Sequence, residues 1–334
     1  MIEKLENPSK LSPGGWREDV HRRLSDLLDA GPAMSGGAYG DAPVVVFDFD
    51  NTCILGDIGE LFSHFLIDEM RYRYDLDDFW EQIHVEDGRG ELRELTEKVL
   101  AIDGAERADS KLYHQYLAQM GALYGRRLMR AGKRDCYEWA VRLHAGLTPQ
   151  ELTRWTAEAI ERELRREIFV EERLTRHGEE VRIGRGIRLL QEMHELIASL
   201  DRAGYEVWII SATNIWSVRV FGAYFGVPPE RVLGNQVEVK NGILTGKTCT
   251  PVLFREGKVA IIDEVIGKRP MLVAGDSVTD YEMLCEAQEL ALVIDSGSTL
   301  LRSEGKKRGW AIQPQSELIA TSSVEMVEKG RERR

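Results

Sequence analysis

The chain has 334 residues, of which 43% are hydrophobic, so it can hold one large domain or two ordinary ones with a sizeable core. A formal net charge of −12 argues against nucleic acid or an anionic membrane surface as the main partner. No apolar run is long enough to span a bilayer.

Residues 1–14 read as a polar, mobile lead, and Met1 to Lys10 lack the apolar centre of a signal peptide. Trp16, Val20, Leu24, Leu27 and Leu28 share one face of a helix over 16–28, expected to pack on the main domain. A loop rich in small residues, Gly31 to Gly40, leads into Val44-Val45-Val46-Phe47. That apolar, β-branched run reads as a strand buried on both faces of a parallel sheet. Residues 55–185 carry helical patterns and no clear strand. Helices are expected over 58–74, 76–84, 91–102, 110–130, 133–145, 149–168 and 170–178. The start at Thr148-Pro149-Gln150-Glu151 is well marked, by a capping Thr, a Pro at the first position and a Glu three residues after the cap.

Beyond Gly184 strands return. A helix over 187–203 ends at Gly204, and Tyr205 to Ile210 reads as a second buried strand, ending in Ser211-Ala212-Thr213-Asn214. A helix over 215–226 follows. Asn241-Gly242 then marks a hairpin between short strands, and a helix over 256–267 carries Lys258. Pro270 to Ala274 is a third strand, running into Gly275-Asp276-Ser277-Val278-Thr279-Asp280. Residues 281–287 read as helical, 290–294 as the last strand, and 320–334 as a charged, frayed tail. The expected architecture is therefore α/β. A core of residues 1–54 and 186–334 surrounds a doubly wound parallel sheet, and an all-helical cap, residues 55–185, is inserted after the first strand.

Asp48 and Asp50 stand where the first strand ends. Strand side chains repeat with period two, so both carboxylates leave the same side of the chain. Ligands of open parallel sheets bind beyond the carboxyl ends of the strands. Two like charges there call for a cation, or for two different jobs. Thr52, Ser211, Lys258, Asp276 and Asp280 also fall at or near expected strand ends or on the helix that follows. Each of these signals alone has a bland reading: a turn residue, a surface lysine or a helix N-terminal acid. Their order and context argue for a single crevice.

Asp48-x-Asp50-x-Thr52, Ser211, Lys258 and Gly275-Asp276-x-x-x-Asp280 resemble the motifs of the haloacid dehalogenase (HAD) superfamily, in the branch that includes phosphoserine phosphatase. The Trp16 helix, Gly37-Ala38-Tyr39, Asp57 and Glu60, Val207-Trp208-Ile209-Ile210-Ser211-Ala212 and Glu256-Gly257-Lys258 are similar to phosphorylcholine phosphatases. The superfamily likeness covers roughly 43–60 and 187–295 and implies a Rossmann-like fold. It also implies Mg²⁺ held by Asp48, Asp276 and the Asp50 main-chain carbonyl, with Asp48 as nucleophile and Asp50 as acid and base. Ser211, Thr52 and Lys258 would serve the phosphoryl group, and Asp280 would orient the metal site or Lys258.

The resemblance implies a small phosphate monoester as substrate, and the oligomeric state is left open. At Asp57 two readings stand: a partner for a substrate ammonium, or a helix first-turn acid. Aromatic faces hold quaternary ammonium ions, and the cap carries Tyr72, Tyr74, Trp80, Tyr113, Tyr116, Tyr137, Trp139 and Trp155. Core packing is the competing fate of each ring. After Asn51-Thr52 the chain departs from the phosphorylcholine phosphatases, reading Cys53-Ile54-Leu55-Gly56. Phosphocholine or phosphoethanolamine is the favoured substrate, with phosphoserine, or phosphotransfer through the same intermediate, as alternatives. A non-catalytic binding protein of the same fold is the reading from another class, and filled positions at Asp48, Asp50 and Asp276 argue against it. Cys53, Cys136, Cys249 and Cys285 are dispersed, without Cys-x-x-Cys or zinc spacing, and are expected as reduced thiols of a cytoplasmic protein.

Overall fold

The computed structural model describes residues 11–31 and 42–322. Gly37-Ala38-Tyr39 and the tail from 323 lie outside the described residues. The described residues divide into two compact units: those within 1–57, 187–234 and 253–334 form one, and residues 58–186 and 235–252 the other.

The first unit is built on a six-stranded sheet. Its strands lie in the order 311–314, 290–295, 272–275, 44–47, 206–214, 232–235. Val44–Phe47 is fully buried and pairs in parallel with strands on both sides, Phe47 standing opposite Ala274 and opposite Ile209. Chain order reverses direction at this strand, so the crevice beyond its carboxyl end is the switch point of the sheet. Alternate residues of successive strands, among them Val44, Val46, Trp208, Ile210, Val273, Ala291 and Val293, form one continuous apolar cluster. The first helix, Glu18–Ala30, buries Val20, Leu24, Leu27 and Leu28 and lies along the 311–314 strand. Tyr205 Oη donates to the Leu27 carbonyl at 2.9 Å.

Three expectations for this unit are corrected. Residues 290–295 are not the last strand: a helix, Thr299–Arg308, and a further parallel strand, Ala311–Pro314, follow. Ala320 and Thr321 are not frayed but pair antiparallel with Leu190 and Leu189. The lead is anchored at its end, where Leu11 is buried and Ser12 Oγ donates to Glu195 at 2.5 Å.

The second unit carries the expected helices, including Ile58–Asp68, Arg89–Leu100, Lys111–Ala131 and Pro149–Arg165. Thr148 and Glu151 complete the reciprocal cap at the last of these. The unit is not all-helical. Residues expected as a helix over 170–178 form an antiparallel hairpin, Phe169–Leu174 with Glu180–Arg185. The charge-rich stretch has good helix formers, but Val181, Ile183 and Arg185 alternate inward, and the two apolar ones pack on Ala122 of the long helix. Burial of that face outweighs local propensity. A second hairpin, Val237–Lys240 with Ile243–Thr248, forms at Asn241-Gly242 as expected, and it groups with residues 58–186 rather than with the sheet.

Candidate active site

The site is assembled at the carboxyl end of Val44–Phe47. Asp48 is anchored by its backbone N–H, which donates to the Ala274 carbonyl at 2.9 Å. Its carboxylate is buried and accepts from two side-chain donors. Lys258 Nζ donates to Asp48 Oδ1 at 2.6 Å, and Thr52 Oγ1 donates to Oδ2 at 2.9 Å. Lys258, itself 1% exposed, also donates to Asp280 Oδ1 at 2.6 Å and to the Ile210 carbonyl at 3.2 Å. One ammonium therefore serves two buried carboxylates.

Asp280 has both oxygens engaged, because its Oδ2 accepts the backbone N–H groups of Asp276 at 3.2 Å and Ser277 at 3.1 Å. The loop closes this tightly because position 275 is glycine: a Cβ there would sit 2.6 Å from Asp280 Cβ. Asp276 Oδ2 accepts from Ser296 Oγ at 2.8 Å. Asp50, half-buried, accepts at Oδ2 from Ser211 Oγ and Thr213 Oγ1, each at 2.9 Å.

The electrostatics follow from too few positive charges in a dry place. Burial, then the Asp280 charge, pushes Asp48 up to about 6, although Lys258 and Thr52 pull against that rise. Asp276 is pushed up to about 8 by burial and by the charges of Asp280 and Asp48. Burial works against the Lys258 ammonium, but Asp280 and Asp48 outweigh it and hold it protonated. Carboxylate oxygens of Asp48, Asp276 and Asp280 lie within 4.8 Å of one another. Three buried acids around a single ammonium leave an excess of negative charge that a hard cation with oxygen ligands fits.

Residues 45–284 match the haloacid dehalogenase-like hydrolase family. The chain belongs to that family. Over 108 residues this HAD-family hydrolase is 28% identical to a phosphoserine phosphatase of Archaeoglobus fulgidus, a match covering 31% of each chain. It thus spans about a third of that relative's length. Its fold is similar to that of a conserved, functionally unknown protein from Anaerococcus prevotii, with a TM-score of 0.81 at 23% identity, covering 94% of this chain and 97% of the other. It is also similar to a protein of unknown function from Bordetella pertussis, with a TM-score of 0.54 at 19% identity, covering 81% and 98%. At these identities the likeness is one of fold.

The structure thus brings Asp48, Asp50, Thr52, Ser211, Lys258, Asp276 and Asp280 of the HAD hydrolase together. Asp57 stands half-buried immediately before the Ile58–Asp68 helix, and Glu60 is exposed, 3.9 Å from His64. Sequence reasoning passed over Thr213 and Ser296. The signal for Thr213 was its period-two spacing from Ser211; Ser296 carried none. In the second unit, the rings of Tyr72, Tyr74, Trp80, Tyr116, Trp139 and Trp155 are buried. Trp80 Nε1 donates to the Tyr74 carbonyl at 2.9 Å and Trp139 Nε1 to the Gln82 carbonyl at 2.7 Å. Arg93 lies 5.8 Å from the Trp80 ring and Arg127 5.9 Å from the Trp139 ring. These two rings already have core partners and a protein cation each, so they are not open faces waiting for a choline.

Proposed function

We propose that the protein is a Mg²⁺-dependent phosphomonoesterase that works through an aspartyl-phosphate on Asp48. The observation that carries this reading is the Lys258 ammonium, buried at 2.6 Å from Asp48 and 2.6 Å from Asp280, beside a half-buried second acid at Asp50. Asp48 attacks phosphorus through a carboxylate oxygen, and Asp50 gives its proton to the departing alkoxide. Asp50 then takes a proton from the water that attacks the phosphoryl group, and the Asp48 oxygen leaves with its bonding pair. Lys258 keeps Asp48 aimed and offsets charge that accumulates on the phosphoryl oxygens. Asp280 holds Lys258, and Thr52 holds the other oxygen of Asp48. Asp48, Asp276 and the main-chain carbonyl of Asp50 would hold the Mg²⁺, which supplies charge neutralisation of the phosphate dianion.

The substrate class is a small phosphate monoester that bears an amine. Asp57 is the acid assigned to the ammonium. Phosphocholine and phosphoethanolamine follow from the sequence resemblance, whereas the partial likeness to a phosphoserine phosphatase favours phosphoserine. Phosphate release should be followed from phosphocholine, phosphoethanolamine, phosphoserine, glycerol phosphate and a sugar phosphate, each with Mg²⁺ and with EDTA. Metal-dependent turnover that disappears in Asp48→Asn supports the mechanism. No release from any of them, or from a generic aryl phosphate, with Mg²⁺ present would sink it. Asp57→Ala should raise KM for the amine-bearing substrates; an equal rise for glycerol phosphate removes Asp57 from the ammonium site.

A further inference from the structure

Thr213 lies two residues beyond Ser211 on the Glu206–Asn214 strand, so the two hydroxyls leave the same side of the sheet. Both donate at 2.9 Å to one oxygen, Oδ2 of Asp50. The Thr213 backbone N–H donates to Ser211 Oγ at 3.0 Å, which occupies a lone pair of that oxygen and leaves its O–H to point at Asp50. The strand is held firmly here. Thr213 is buried, and the neighbouring strand comes so close that a Cβ on Gly234 would sit 2.7 Å from the Thr213 carbonyl oxygen. Asn214 then caps the next helix through the Ser217 N–H at 2.9 Å.

We infer that Thr213 is a positioning residue for Asp50, clamping Oδ2 together with Ser211 so that the acid is held at a fixed orientation. This rests on the reading of Asp50 as the acid. Two donors on one carboxyl oxygen suppress rotation about Cβ–Cγ. The Asp50 proton passes to the leaving oxygen as the P–O bond breaks, the bonding pair staying on that oxygen while Asp48 forms the new bond to phosphorus. In the second half Asp50 takes the proton of the attacking water. Loss of the Thr213 hydroxyl removes one of these two donors, and the acid samples orientations from which transfer fails.

An alkoxide needs that proton to leave and p-nitrophenolate does not, which supplies the test. We would measure kcat/KM with Mg²⁺ for glycerol phosphate and for p-nitrophenyl phosphate in the wild type, Thr213→Val, Thr213→Ser and Asp50→Asn. Removing the acid should cost glycerol phosphate about 10²–10⁴-fold more than the activated ester. Thr213→Val should reproduce a part of that selective loss, about tenfold or more, and Thr213→Ser should recover it. The ratio is taken within each variant, so a partly unfolded sample does not distort it. If Asp50→Asn discriminates between the substrates and Thr213→Val loses equally on both, or not at all, Thr213 is structural and the inference falls alone. If Asp50→Asn also loses equally on both, the assignment of the acid is wrong and the inference falls with it.

Discussion

Replacing Lys258 by Met keeps most of the stem and removes the ammonium. Asp48 Oδ1 and Asp280 Oδ1 each lose a donor at 2.6 Å, and the Ile210 carbonyl loses one at 3.2 Å. Removing one partner of a buried ion pair costs about 3–5 kcal/mol, chiefly because the other charge stays buried and uncompensated. Here two carboxylates lean on the same group, which places the expectation at the upper end of that range. The cost must depend on pH. Without the ammonium, Asp48, already raised by burial, titrates further above its unfolded value of about 4. The folded variant then binds protons more tightly than its unfolded chain, so its deficit against the wild type grows as pH rises and shrinks as pH falls. Urea denaturation in EDTA at pH 8 and pH 5 reads this directly. The deficit should be about 3–5 kcal/mol at pH 8 and smaller at pH 5 by more than about 1.4 kcal/mol, the worth of one pH unit for one proton. An equal deficit at both values would mean that the variant loses packing and not charge balance. A deficit below about 1 kcal/mol, the range of a solvated pair, would refute the account of the site's electrostatics. Turnover with Mg²⁺ should fall by about 10²–10³-fold, the usual effect of losing one preorganised donor.

Gly275→Ala should disturb the same site from the backbone, since its Cβ would meet Asp280 Cβ at 2.6 Å and Cγ at 2.9 Å. Overpacking of that kind costs about 1–3 kcal/mol, and a variant with wild-type Tm and turnover would show that the loop accommodates a methyl group. His144 is buried against Phe62 and Tyr72, and neither ring nitrogen has a hydrogen-bond partner among the described residues. Burial lowers its pKa from 6.5 to about 4. Its folded value lies below the unfolded one, so stability is full above about pH 6.5 and is lost as pH falls towards 4, by about 3 kcal/mol. His144→Phe should flatten that acid limb in denaturation curves, and an unchanged limb would place the sensitivity elsewhere. His64, also lowered to about 4, first by burial, adds to the same slope.

Much of the catalytic half could be read without coordinates because its signals are local. A β-branched run ending in Asp48-x-Asp50 fixes which side both acids leave, since period-two alternation is a property of the strand itself. Gly275 with Asp280 is equally local, a tight loop closing on an acid five residues later. The charge-rich segment after residue 168 shows the limit. Its Glu and Arg residues suit a helix, and only the long helix against which Val181 and Ile183 pack makes it a hairpin. The aromatic residues of residues 58–186 show it too: composition marks them as candidates for a cation, whereas burial and the bonds of Trp80 and Trp139 make them core.

What the sequence determined by itself, then, is the alternation of strands and helices that builds the centre of the sheet, the family and the acids at the first strand's end. These depend on residues close together in the chain. The tertiary structure alone decided what each acid is bonded to. Lys258 reaches Asp48 across 210 positions and Thr213 reaches Asp50 across 163. No periodicity encodes such a meeting. It is made when separate strands and helices are brought to one edge of a sheet by burial of their apolar faces, and the polar groups left there must find one another or remain unpaired.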